Sequence, residues 1–61
     1  MVKVMVHTVE SSEPWVGEVH DLGELVGEVE AGRLFQLYRK DAPPVYINGN
    51  HVTAFGKVKE S

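Results

Sequence analysis

The chain has 61 residues, no cysteine, six basic and nine acidic side chains and three histidines, for a net charge of −3. That length holds one small domain near the limit at which apolar burial outweighs chain ordering. The absence of cysteine excludes a disulfide framework or a thiolate metal site, and no apolar run approaches the roughly 20 residues of a membrane span. The start, MVKVMVHTVE, has no long uninterrupted apolar run of signal-peptide type, so a cytoplasmic location is expected.

Residues 2–9, VKVMVHTV, alternate Val2, Val4, Val6 and Thr8 with Lys3, Met5, His7 and Val9. The period of two and the β-branched side chains predict a largely covered strand. ESSEP reads as a turn, because serine hydroxyls bond nearby backbone groups and Pro14 fixes its own φ. Residues 15–20, WVGEVH, are either a short second strand or an extended lead-in, since Gly17 weakens a strand.

Asp21 is a suitable helix N-cap, with Glu24 three positions on. Leu22, Leu25, Val26 and Val29 then follow helical spacing, and Gly32 supplies a stop. A helix over residues 22–31 is therefore predicted, with those four aliphatics on its buried stripe. Gly23 and Gly27 each cost about 1 kcal/mol relative to alanine in an exposed helix interior, and Glu24 and Glu28 repel at i, i+4, so docking must hold the helix.

From Arg33 to Lys40 the period returns to two, with Leu34, Gln36 and Tyr38 opposite Phe35, Leu37 and Arg39. DAPP is expected to be a turn in which Pro43 and Pro44 bar a continuous ladder. Val45–Ile47 is expected as a strand and Asn48-Gly49 as a type I′ hairpin turn. Asn50-His51-Val52 should then return beside Val45-Tyr46-Ile47, a last strand should run to about Val58, and residues 57–61 should fray. The expected architecture is α+β: one helix on a small, mainly antiparallel sheet of three to five strands in the order β(β)αβββ, as a single domain over residues 1–61.

No residue pattern announces catalysis. Ser11, Ser12 and Ser61 sit in a turn and at the terminus, outside any nucleophile motif. A chain this short can hardly fence off a small-molecule pocket of several hundred cubic ångströms. His7, His20 and His51 lack metal-ligand spacing, and the helix acids form no calcium loop, so neither enzyme activity nor a metal or other cofactor is expected.

The charges divide along the chain. Glu10, Glu13, Glu18, Asp21, Glu24, Glu28 and Glu30 precede any Lys or Arg after Lys3, whereas Arg33, Arg39, Lys40, Lys57 and Lys59 face Asp41 alone up to residue 59. Macromolecular binding is the expected function, with a protein partner or a second copy of the chain preferred, a homodimer being a natural way for so short a chain to gain stability. Glu24, Glu28, Tyr38 and Tyr46 are the candidate protein contacts. If the partner is nucleic acid instead, Lys3, Arg33, Arg39 and Lys40 are the candidate phosphate contacts, against the acidic net charge.

LGELVGEVEAG followed by RLFQLYRK and DAPPVYI resembles the N-terminal half of the prevent-host-death type of antitoxin. Leu22, Leu25, Val26, Val29, Glu30 and Gly32 match the family's helix; Arg39, Lys40, Pro43 or Pro44, Val45 and Ile47 match its following strand, basic turn and second strand. The resemblance spans about residues 19–47. It implies a homodimer that binds operator DNA and neutralises a toxin through a C-terminal segment. This chain differs in its longer acidic linker over residues 10–20, its KDAPP turn, and a strand reading rather than a helical tail after Ile47. A third expectation is a structural subunit, with a hairpin over Val45–Val58 whose edge pairs with another copy.

Overall fold

Helix formation is the most local event in the chain, and it occurs where the sequence places it. In the computed structural model, which describes residues 1–59, helix α1 spans Leu22–Ala31. The Asp21 carboxylate accepts from the Glu24 N–H at 3.1 Å. At the other end Gly32 takes φ 69° and ψ 29°. The Gly32 N–H donates to Val29 O at 3.1 Å and the Arg33 N–H to Glu28 O at 2.9 Å, so the last carbonyls are satisfied by a Schellman closure. Leu25 is buried and Leu22 and Val29 pack on the core, but Val26 is 37 % exposed. The expected four-residue stripe is thus three residues wide. Gly27 is a weak point with room to spare: a Cβ there would meet nothing within 4 Å. Gly27→Ala is expected to stabilise the protein by about 1 kcal/mol, read as a melting temperature roughly 4–8 °C higher in a thermal scan.

Five strands accompany this helix: β1 Val2–Thr8, β2 Trp15–Val19, β3 Leu34–Arg39, β4 Ala42–Asn48 and β5 Val52–Lys57. They form one sheet in the order β4-β3-β2-β1-β5, every neighbouring pair antiparallel. The α+β expectation holds, at five strands. Residues 15–20, left open by sequence, contain a true strand. Gly17 belongs there because a Cβ would lie 2.5 Å from the Tyr38 carbonyl and 2.7 Å from Leu37 Cγ. No helix is long and apolar enough to cross a membrane among the described residues.

The chain corrects the expected hairpin at Asn48-Gly49. Gly49–His51 is a 3-10 turn, and Asn48, with φ −79° and ψ 123°, caps it by accepting from the Asn50 N–H at 2.9 Å. Among the described residues only Gly32 has positive φ. Gly49 is instead required by close approach: its N–H donates to Arg33 O at 2.9 Å, and a Cβ would fall 2.7 Å from Glu28 O. β5 consequently crosses to β1, with Val6 opposite Phe55 and Met5 opposite Gly56, and does not return beside β4. No hairpin exists over Val45–Val58.

This crossing shapes the sheet. Asn48 and Val52 are four Cα steps apart, at most about 14 Å, yet the borders of a flat five-stranded sheet lie about 19 Å apart. The sheet must curl. Val4, Val6, Val19, Phe35, Leu37 and Ile47 line the inside of the curl, and Leu25 of α1 completes the core.

The proline prediction is also corrected. Lys40 and Asp41 make the turn, and β4 includes both Pro43 and Pro44. The register passes from Leu37↔Val45 to Arg39↔Ala42, so two prolines stand against Tyr38 in a bulge. A border strand tolerates them because one side needs no donors. Arg39 Nε and Nη2 donate to Pro43 O at 3.1 and 3.0 Å, holding the bulge. Of the tail expected to fray, Lys57 ends β5 and the Val58 N–H donates to Lys3 O at 2.9 Å. Residues 60 and 61 lie outside the described residues.

Candidate functional site

Alternation in β3 turns Phe35 and Leu37 into the core and leaves Leu34, Gln36 and Tyr38 on the other face. Those three form one wall of an open groove of about 340 Å³ beside α1. The opposite wall carries Asp21, Glu24 and Glu28, and the buried side chains of Val19, Leu25 and Phe35 make an apolar floor. His20 lies at one end, its ring edge-on to Tyr38 at 5.3 Å and 74°. Leu34 is 61 % exposed at the rim.

The three carboxylates are not equivalent. Asp21 is engaged at the helix cap. Glu28 receives Arg33 Nε at 3.0 Å and Nη2 at 3.3 Å, a two-pronged pair. Its hydrogen bond and then its charge raise the Arg33 pKa above the ordinary value, so Arg33 stays a cation. Glu24 has no ion-pair partner among the described residues. The groove therefore presents one unengaged carboxylate above an apolar floor.

Glu24, Glu28 and Tyr38 of the expected protein-binding set thus converge. Tyr46 does not join them: it stands on β4 opposite Gln36, 65 % exposed, beside a second hollow bounded by Thr8, Trp15 and His51. Leu34 borders both hollows. Sequence reasoning missed Leu34 and His20. The available signal was an aliphatic on the polar face of β3 and an imidazole next to the helix cap.

The expected nucleic-acid set divides differently. Lys3 meets Lys57 and Lys59 around one hollow, and Lys40 around another beside Val16 and Tyr38. All four lysines gather because β1 sits between β2 and β5. Glu18, opposite Lys3 in the sheet, and Asp41 are the acids beside them. Both arginines are elsewhere: Arg33 is paired with Glu28, and Arg39 is bound to the Pro43 carbonyl with its guanidinium 5.9 Å from the Trp15 ring centroid.

The histidines are dispersed. His51 Nδ1 lies 2.6 Å from a Glu10 carboxylate oxygen, while His20 faces Tyr38. Among the described residues no three His, Asp or Glu side chains gather as a metal site would require. Comparison with family models, curated proteins and solved structures gives no match.

Proposed function

We propose that this chain is a non-catalytic adaptor or regulator whose α1–β3 groove binds a basic, partly apolar segment of a protein partner. The observation that carries the reading is the convergence of Glu24, Glu28 and Tyr38 on one open groove with an apolar floor and an exposed leucine at its rim. An aliphatic and an aromatic side chain at the rim supply anchoring area, and the carboxylates select cationic partners and speed encounter. A peptide alternating arginine and leucine is a suitable probe. Glu24→Lys is expected to weaken its binding at least tenfold, which is about 1.4 kcal/mol, in a fluorescence titration at low salt; unchanged affinity rejects the groove as the site. The substitution also removes an acid from the first turn of α1, a helix cost of about 0.3–1 kcal/mol, so the variant's melting curve accompanies the titration.

The gathering of four lysines favours a second reading, an antitoxin-like repressor that binds DNA. Lys3, Lys40, Lys57 and Lys59 would then contact phosphates, in place of the two occupied arginines. Duplex affinity should fall steeply with salt, and a flat response excludes this reading.

A further inference from the structure

The two borders of the sheet are built in opposite ways. β4 carries Pro43 and Pro44, which offer no N–H to an incoming strand. β5 reads VTAFGK, without proline or acid, and its one charge is at its end. Antiparallel pairing alternates bonded and unbonded residue pairs. The Val58 N–H donates to Lys3 O, so in the same register the bonds to β1 come from Gly56 opposite Met5 and Ala54 opposite His7. The backbone N–H and C=O of Phe55 and Lys57 therefore point away from β1, to the side where no strand pairs.

We propose that a second copy of this chain adds its own β5 to this border, antiparallel, about a two-fold axis through Phe55, joining two five-stranded sheets into one. The inference is independent of what the groove binds. Its register follows from the side chains. Centring on Phe55 sets each Phe55 against its equivalent and each exposed Ala54 against an exposed Gly56 of the other copy, the smallest pair available on that face. It also separates the two Lys57 side chains, whereas an axis through Lys57 would oppose them directly. Along the same border lies a hollow lined by Val29, Val52, Thr53, Ala54 and Phe55. The aromatic that an antiparallel copy delivers there is Phe55 itself. A second copy thus supplies both the missing strand and an aromatic side chain beside that hollow. With β4 blocked by its prolines, the contact is made between like borders and closes as a dimer, without open-ended growth.

The chain has no cysteine, so single cysteines report the register cleanly. Ala54→Cys lies at an exposed position, and a Cβ at Gly56 meets nothing within 4 Å; both variants should fold. Facing residues of an unbonded antiparallel pair have Cα atoms about 4.5 Å apart, within disulfide reach. When the two variants are mixed and oxidised, the A54C–G56C disulfide should exceed either like-with-like disulfide severalfold. Sedimentation of the native chain should show a mass rising from one to two chains with concentration. Lys57→Pro removes one outward N–H and no bond to β1, and should weaken the dimer about tenfold. A monomeric mass at every concentration, or disulfides formed equally in all combinations, overturns the proposal.

Discussion

Gly49→Ala should remove a large share of the protein's stability. A Cβ at this position would lie 2.7 Å from Glu28 O, 2.9 Å from Arg33 O and 3.1 Å from Val29 Cα. All three are backbone atoms, so no side chain can swing aside. The carbonyls belong to the closure of α1, and the Gly49 N–H bonds one of them. Relief must come from pulling the 3-10 turn off the helix. The cost is put at about 3 kcal/mol, the upper part of the usual overpacking range. A chain of this length has roughly 3–9 kcal/mol of stability in total. Denaturant titration should show the loss, with a melting temperature roughly 12–24 °C lower. Gly49→Asn distinguishes the reasons for glycine. A type I′ turn would accept asparagine, whereas close approach penalises it as it does alanine. Gly56→Ala is the control, because that site is open, and its effect should stay within about 1 kcal/mol.

Leu37→Ala should be nearly as damaging. Leu37 is fully buried, and it fills the space that Gly17 leaves on the neighbouring strand. Removing a buried leucine side chain costs about 2–5 kcal/mol, depending on how far the site collapses. Here collapse is restricted, since β2 and β3 are held by the sheet. Gly17→Ala attacks the same contact from the other side, with the new Cβ 2.7 Å from Leu37 Cγ and 2.5 Å from the Tyr38 carbonyl. The double variant should cost less than the sum of the singles by about 1 kcal/mol, because truncating Leu37 removes one of the two clashes. Full additivity in a double-mutant cycle would show that the two residues do not share this space.

What could be read from sequence was what is decided within a few residues. Asp21 and Gly32 close α1 through bonds to positions three to five residues away, and the alternation of Val4, Val6 and Thr8 sets the face of β1 directly. The choice of partner strand is different in kind. Asn48-Gly49 is compatible with both a type I′ turn and a capped 3-10 turn, and the decision falls to Arg33 O and the end of α1, contacts that no local pattern contains. Once the turn is 3-10, β5 leaves β4 and reaches β1, from the opposite end of the chain. The prolines of β4 are ambiguous for a related reason: they exclude a central ladder, and only the finished strand order shows that β4 is a border. Val26 satisfied the helical stripe, but the curled sheet accepts only Leu22, Leu25 and Val29.

The candidate site was legible to the same extent. Glu24 and Glu28 share a helix face by spacing alone. That Tyr38 and Leu34 stand across from them depends on the crossover from β2 through α1 to β3. Likewise, Lys3, Lys40, Lys57 and Lys59 come from separated segments, and their meeting required the position of β1 between β2 and β5.

The groove reading is tested most directly by mapping backbone amide shifts during titration with the arginine–leucine peptide. Saturable changes should fall on His20–Glu28 and Leu34–Tyr38 and shrink with added salt. Changes centred on Lys3, Lys57 and Lys59, or none that saturate, would contradict it.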